Sequence, residues 1–433
     1  MKLSTHLVFP FGLILLVLIG ASLFFGADTP LAVYFFSGVL MVIGAATVTL
    51  SPRSTVTPPM MIAAALLIGF LVLDIVTGTI IGGLPGYAGL AAAAAVFLTA
   101  RTIALNSDNV APAWSWLMFA FLLLAGWAFF DFVINPDTIH DRPRPYHLGR
   151  LSAAFLSANT AATLFGTGML VAMTGLLKAV QRTGTFRPID LVEGLFRHGT
   201  LSLVSFLFCA VCLVLTASRA GIAFALVCLV ILVVWQLAAL RRSQARATGE
   251  TSGSLSWLIA GGMAFIVFAA ITVFAMSGDM AAERYGELGQ DSNMRAVMFA
   301  TYWEASMAHP LLGSGFDSFS KVNARVMSAD NAALLAGQGA AHNVFLQWLL
   351  QKGWLGALAM FGTVAVIYWK IWQGLVTRRR HKLYLRGVLM IALFVSLHSM
   401  VDYAVEIPGF MWWFALVLGL GAGIAAGSSA ERT

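Results

Sequence analysis

The sequence predicts an all-α integral membrane protein with about twelve transmembrane helices and one large loop on the outer side of the membrane. Hydrophobic residues make up 59% of the chain and charged residues 10%, whereas soluble domains carry about 25% charged residues. A water-soluble fold is therefore excluded. Because the apolar runs follow one another with only short polar breaks, we expect residues 1–433 to form a single polytopic domain.

Twelve apolar runs supply these spans. Each is long enough to cross about 30 Å of hydrocarbon as a helix. They lie near 8–26, 31–50, 60–77, 80–100, 114–134, 155–177, 201–217, 220–240, 255–276, 343–372, 387–401 and 409–427. The first run exceeds the roughly 7–15 apolar residues of a signal peptide, so we expect it to be retained as a helix. The cysteines Cys209, Cys212 and Cys228 lie inside these runs. This placement predicts buried thiols and neither disulfides nor a metal site.

The distribution of positive charge predicts which side of the membrane each break faces. An even number of spans places both termini on one side, and that side carries most of the 26 Lys and Arg residues. Two clusters mark it, namely Arg241, Arg242 and Arg246, and Arg378, Arg379, Arg380, Lys382 and Arg386. By the positive-inside rule this is the cytoplasmic side, which we call the inner side. The formal charge of +7 is thus explained by Lys and Arg residues that set the membrane orientation, and no nucleic-acid partner is predicted.

Two segments on the outer side are long enough to carry a site. The segment 135–150 places charged and imidazole side chains among prolines: His140, Asp141, Arg142, Arg144 and His147. The segment 277–341 is the large loop. Within it, apolar residues recur at helical spacing: Met294, Val297, Met298, Tyr302 and Ala305. This spacing predicts an amphipathic helix against the membrane surface or the bundle, which Pro310, Gly313 and Gly315 would end.

The apolar stretch 201–240 predicts a hairpin with a basic tip. As one helix it would be about 60 Å long, roughly twice the hydrocarbon thickness, so it must turn back at the break Ser218-Arg219-Ala220-Gly221. Ser218 is a predicted N-cap, which sets free backbone amides beside Arg219 at the outer tip. These groups favour a phosphate or diphosphate ligand. An arginine that only reaches lipid headgroups is the alternative.

Two further residues of the outer side suggest chemistry. His342 precedes a predicted helix at the membrane boundary, where an imidazole can take a proton from a hydroxyl at neutral pH. The alternative is a capping pair with Asn343, in which the imidazole only binds backbone groups. Arg295 lies in the amphipathic helix, and Asp291 one turn earlier is its predicted ion-pair partner.

Other acidic residues do not predict a metal site. Asp279, Glu283, Glu287 and Asp291 recur every four residues of the large loop. They lack the compact cluster with a turn-forming glycine that a calcium loop requires, so no metal is predicted. Asp74 stands inside the third span, where a carboxylate is costly unless it is paired within the bundle or lies near a helix end.

These motifs together resemble the O-antigen ligase and polymerase superfamily of bacterial envelope glycosyltransferases. The similarity is carried by Ser218-Arg219-Ala220-Gly221, by Arg295 ahead of His309-Pro310-Leu311-Leu312-Gly313-Ser314-Gly315-Phe316, by the run from His342-Asn343 through Gly353 to Gly356, and by Gly149-Arg150-Leu151-Ser152 before Asn159. The layout agrees over nearly the whole chain, and the resemblance implies a GT-C-like membrane fold.

The resemblance also implies a function and a site. The expected enzyme is an inner-membrane glycosyltransferase that faces the periplasm, needs no metal or cofactor, and moves a glycan from undecaprenyl diphosphate to lipid A-core. By similarity, Arg219 and Arg295 would hold the diphosphate and His342 would be the base. Ser218, Asn343, Arg150 and Arg142 complete the expected substrate-binding residues. A polymerase of the same superfamily is the nearest alternative. A transporter or flippase is the alternative of another class.

Overall fold

A computed structural model of the chain describes residues 5–51, 57–79, 83–140, 142–143, 148–183, 188–248 and 294–427. The helices within these ranges are α1 Thr5–Leu23, α2 Pro30–Thr49, α3 Pro58–Thr77, α4 Leu84–Ala104, α5 Ser107–Ile134, α6 Ala158–Thr183, α7 Pro188–His198, α8 Thr200–Leu215, α9 Arg219–Thr248, α10 at 294–306, α11 Phe319–Val326, α12 Ala332–Leu335, α13 Val344–Thr377, α14 Lys382–Ser399 and α15 Pro408–Ala426. Thr138–Ile139 pairs antiparallel with Arg142–Pro143 as β1 and β2.

The architecture confirms an all-α integral membrane protein. Nine helices in the described ranges are long and apolar enough to cross a membrane, and two shorter apolar helices accompany them. These helices follow the predicted spans in order. The predicted span 255–276 lies outside the described residues, as does most of the start of the large loop.

One helix, on the side that the sequence predicts to be the inner one, was not predicted. The helix α7 runs from Pro188 to His198, between α6 and α8, and contacts both. It is only 11 residues long, and it contains both charged and apolar residues. A helix of this kind lies along a membrane surface and does not cross the hydrocarbon. The sequence showed only a polar break at this position.

The helix α6 forms the centre of the bundle. It is rich in Ala, Gly and Thr, and it contacts α5, α8, α9 and α14. Small residues let neighbouring helices approach closely in a membrane. At Gly166, for example, a Cβ atom would overlap the ring of Phe394 from α14. Close packing around α6 therefore fixes the outer ends of α9 and α14, where the candidate site lies.

The helix α3, unlike α6, is almost entirely unburied. All of its residues are described, and Asp74 is the only one of them that is buried. Its remaining side chains are exposed or half-buried, as expected of a helix that faces lipid. The carboxylate of Asp74 therefore lies where α3 meets the rest of the protein.

The helix α13 is broken, which corrects the prediction of one continuous helix over 343–372. At Gly353 the backbone adopts φ 57° and ψ −167°, outside the helical region. This conformation separates a half-helix at 344–352 from a longer half at 354–377. Breaks in membrane helices leave backbone groups unpaired unless another segment binds them.

The loop 309–315 supplies the missing partners. The amides of Ser314 and Gly315 donate to the carbonyls of Leu350 and Gln351 at 2.8 and 2.9 Å. In the other direction, the amides of Trp354 and Leu355 donate to the carbonyls of Pro310 and Leu311 at 2.8 and 3.2 Å. The prediction that Pro310, Gly313 and Gly315 end the amphipathic helix is wrong, because α10 already ends at residue 306. These residues instead belong to the loop that hydrogen-bonds to the backbone at the break in α13.

Gly353→Ala is expected to lower the stability of the protein. A Cβ atom at Gly353 would overlap the carbonyl group of Leu311, and the positive φ disfavours any L side chain. Such strain costs about 1–3 kcal/mol, so the midpoint of thermal unfolding in detergent should fall. Gly362→Ala is the matched control, because a Cβ atom there meets nothing within 4 Å. An unchanged midpoint for Gly353→Ala would contradict the interlocked break.

Candidate functional site

The hairpin between α8 and α9 places Arg219 at its tip, as predicted. Arg219 is the first residue of α9 and is exposed. The predicted cap is confirmed, because the amide of Gly221 donates to Ser218 Oγ at 3.4 Å. The tight turn before it has φ 49° at Ala217. A guanidinium group therefore lies at a helix N-terminus, an arrangement that favours anion binding.

Arg150 supports this tip from a neighbouring loop. Its Nε donates to the carbonyl of Thr216 at 2.8 Å and its Nη2 donates to Asn159 Oδ1 at 3.4 Å. The amide of Leu151 adds a bond to the carbonyl of Leu215 at 2.9 Å. Arg150 thus holds the hairpin in place through backbone contacts. Its predicted contact with substrate stays a prediction.

His342 lies immediately before α13 with its side chain 26% exposed. Its Nδ1 is 3.9 Å from Asp402 Oδ1, and its Nε2 is 3.1 Å from Gln338 Oε1. The ring of Tyr403 meets the imidazole edge to face, with 4.9 Å between centroids. These partners are side chains, so the alternative that His342 only binds backbone groups does not describe this site.

Asn343 takes the capping role next to His342. It is the N-cap of α13, and its Oδ1 accepts the amide of Leu346 at 3.1 Å. Its Nδ2 donates to the carbonyl of Met400 at 2.8 Å. The start of α13 is thereby bonded to the loop that follows α14, which carries Asp402.

Asp402 is the carboxylate of the site, and the sequence did not single it out. It is 1% exposed, and its Oδ2 accepts the amide of Ala404 at 3.1 Å. Burial by itself raises the pKa of Asp402, but its interactions with His342 and His398 lower it, and the net pKa lies below the ordinary value. A charged carboxylate beside an imidazole orients the ring and stabilises its protonated form.

His398 connects the hairpin tip with this carboxylate. It is 1% exposed at the end of α14, and its Nδ1 is 2.8 Å from Thr163 Oγ1. A Cβ atom at Gly221, two residues after Arg219, would lie 3.3 Å from its Cε1. The charges of Asp402 and Arg295 both act on His398. The structure therefore brings Arg219, Arg295 and His342 to one region, on the side that the sequence predicts to be the outer one.

The helix α10 buries only part of the predicted apolar face, because Met294 and Val297 are exposed. Met298 and Tyr302 are buried, and the cluster around them also contains Phe319, Val322, Leu335, Ala341, Leu346 and Leu350. Tyr302 donates to Asn323 Oδ1 at 2.8 Å. Arg295 is exposed near the start of this helix. The loop and the half-helix 344–352 thus share a small core, which holds α10 beside the start of α13.

The remaining predicted residues lie elsewhere or outside the described ranges. Arg142 is in β2, with its guanidinium carbon 5.8 Å from the centroid of the Phe25 ring. Its predicted contact with substrate stays a prediction. Residues outside the described ranges are Asp141, Arg144, His147, Asp279, Glu283, Glu287 and Asp291.

A buried charge cluster lies at the end of the half-helix 344–352. Lys352 Nζ donates to Asp74 and to Tyr87 Oη, the latter at 2.8 Å, and Tyr87 Oη donates to Asp74 Oδ2 at 2.9 Å. The ring of Phe316 lies 4.7 Å from the ammonium group. The prediction that Asp74 is paired within the bundle is confirmed. Lys352 was missed as its partner, although two opposite charges in apolar runs are a signal for such a pair.

The same half-helix is also held near its middle. Trp348 Nε1 donates to Glu406 Oε1 at 2.8 Å. Burial raises the pKa of Glu406 to about 7, the bond from Trp348 opposes this shift, and the negative charge of Asp317 adds to it. The half-helix that begins beside His342 is therefore fixed at its start, its middle and its end.

Comparison with known families covers this part of the chain. Residues 204–361 match the family model described as O-antigen ligase. The matched range contains Arg219, Arg295 and His342, and it ends beyond the break at Gly353. No curated protein matches the chain. The predicted resemblance is confirmed. The chain is an all-α integral membrane protein whose residues 204–361 match an O-antigen ligase family model, and this match supports an enzyme role as a ligase or polymerase.

Proposed function

We propose that the protein is an O-antigen ligase of the bacterial inner membrane. It transfers a glycan from undecaprenyl diphosphate to a sugar hydroxyl of lipid A-core on the periplasmic side. The observation that carries the proposal is the grouping of Arg219, Arg295 and His342 around the buried pair of Asp402 and His398. This grouping lies at the outer helix ends, where both lipid-linked substrates present their head groups.

The donor diphosphate is held by positive groups of this chain. Arg219 and the positive end of the α9 dipole bind one part of it, and Arg295 on α10 approaches from the large loop. These charges stabilise the negative charge that grows on the leaving diphosphate. Undecaprenyl diphosphate leaves as an anion, so no acid is required to protonate it.

The acceptor hydroxyl is activated by His342. Its Nε2 takes the hydroxyl proton while the oxygen attacks the anomeric carbon from the face opposite the diphosphate. The new glycosidic bond forms as the bond to the diphosphate oxygen breaks, so the anomeric configuration inverts. Asp402 stabilises the imidazolium that results, and water later removes its proton.

Reconstitution tests this proposal. The purified protein is placed in liposomes with lipid-linked O-polysaccharide and lipid A-core, without nucleotide, and ligated product is measured.

Deletion of the gene is a second test. Its loss should leave long glycan on the lipid carrier and the core uncapped. Core capped by single repeats would instead indicate the polymerase. Movement of substrate across the bilayer without a new glycosidic bond would overturn both.

Arg219→Ala is expected to weaken use of the lipid-linked donor. Loss of a charge-assisted contact should raise KM for the donor and lower kcat/KM by about 10–100-fold, since hydrogen bonds to charged groups contribute about 1.5–3 kcal/mol. Initial rates over a range of donor concentrations measure this effect. Arg379→Ala, an exposed arginine on the inner side, is the matched control. Equal donor kinetics in both variants would refute the role of Arg219.

A further inference from the structure

The Nε2 atom of His342 already has a partner in this structure. It is 3.1 Å from Oε1 of Gln338, and Nε2 of Gln338 is 3.1 Å from the carbonyl oxygen of Leu334. A backbone carbonyl can only accept a hydrogen bond. The amide nitrogen of Gln338 must therefore face Leu334, and its amide oxygen must face the imidazole. His342 Nε2 consequently donates, so it carries a proton.

A ring nitrogen that carries a proton cannot remove one from a hydroxyl. On the other side of the ring, Nδ1 faces the charged Asp402 at 3.9 Å. Both ring nitrogens thus face hydrogen-bond acceptors. In addition, the amide oxygen of Gln338 occupies the position at Nε2 that an acceptor hydroxyl must take. The imidazole in this arrangement is not ready to act as a base.

The backbone on both sides of Gln338 allows its side chain to move away from His342. Gly337 has φ +80°, and a Cβ atom at Gly337 or Gly339 would meet nothing within 4 Å. Both glycines are exposed and Gln338 is half-buried. The segment can therefore move without disturbing the small core of the loop, where Leu335 and Ala341 are buried on either side.

We propose that Gln338 is a positioning residue. Its side-chain amide occupies the position at His342 Nε2 that the acceptor hydroxyl takes, and the acceptor displaces it. This inference rests on the proposed function and identifies how the acceptor engages the base. When a sugar hydroxyl replaces the amide, Nε2 gives its proton to water while Nδ1, which faces Asp402, takes one from water. The free Nε2 then takes the proton of the hydroxyl. The released amide can bind a neighbouring hydroxyl of the same sugar.

The other charged and titratable groups around His342 come from separate elements. Asp402 and Tyr403 face it from the loop after α14, His398 acts on Asp402 from α14, and Arg295 acts on His398 from α10. Substitution of Gln338 leaves all four in place. A change in the protonation of His342 in such variants therefore reports the contact with Gln338.

The test compares Gln338→Glu with Gln338→Ala in the full-length protein in liposomes. A carboxylate beside Nε2 holds the proton more firmly, so the acidic limb of the pH profile of kcat/KM should move up by about one pH unit or more. Removal of the amide should move this limb down or leave it unchanged. Gln373→Glu makes the same change on the inner part of α13, where Gln373 binds Lys370, and serves as the control.

A second measurement does not depend on turnover. Diethyl pyrocarbonate modifies the unprotonated imidazole nitrogen, and mass spectrometry of the peptide that contains His342 gives its rate. We expect Gln338→Ala to react at least several-fold faster than the unsubstituted protein, and Gln338→Glu to react more slowly. Equal rates in all three would overturn the role of Gln338. Full glycan transfer by His342→Ala would instead overturn the proposed base, whatever the order of these rates.

Discussion

Replacing His342 by Ala is expected to abolish glycan transfer while the protein remains folded. The side chain is 26% exposed and supports no core, so its loss removes chemistry and little packing. A positioned general base contributes about 10²–10⁴-fold to a rate, and kcat for ligation should fall by that amount. The reconstituted assay measures this rate, with thermal unfolding to verify the fold.

The control for this experiment is His198→Ala. His198 is exposed at the end of α7, on the inner side. Its replacement should leave ligation unchanged. If His342→Ala retained more than a tenth of the activity, an acceptor activated by another group would be required, and the arrangement around Asp402 would need a different explanation.

Lys352→Met should destabilise the protein more than any other single change considered. It leaves Asp74 and its charge in a buried site without the ammonium group. Breaking a buried pair by removing one partner costs about 3–5 kcal/mol. We expect a large fall in the midpoint of thermal unfolding in detergent. Ligation should fall with it, because the half-helix 344–352 begins beside His342.

The double variant Asp74→Leu with Lys352→Met separates charge from packing. Replacing both members of a buried ion pair by apolar residues is often neutral or stabilising, so the unfolding midpoint should recover. Lys370→Met, which changes an exposed lysine on the same helix, is the control. A single variant as stable as the unsubstituted protein would contradict the stabilising role of this ion pair.

The transmembrane helices could be predicted because hydrocarbon leaves the backbone few choices. Every amide and carbonyl in the bilayer must be paired within the segment, so an apolar run such as 220–240 has to be helical. The break at Gly353 could not be found in this way. Its conformation is stabilised by residues 309–315, which are far away in sequence, and an apolar run does not reveal such a partner.

The candidate site was predictable where a polar residue interrupts an apolar run. Arg219 and His342 stand at such interruptions, and so does the capping residue Ser218. Asp402 and Gln338 were not found, because an acidic residue or an amide in a short polar loop is common. Their significance comes from contact with His342, which only the folded chain creates.

The interlocked break in α13 has a consequence for the biogenesis of the protein. Helices made earlier can enter the bilayer one after another, since each pairs its own backbone groups. The break cannot, because the amides of Trp354 and Leu355 and the carbonyls of Leu350 and Gln351 find their partners only in the loop 309–315. Formation of the candidate site beside this break is therefore a late tertiary event, and a lesion in that loop should yield an inserted but inactive precursor.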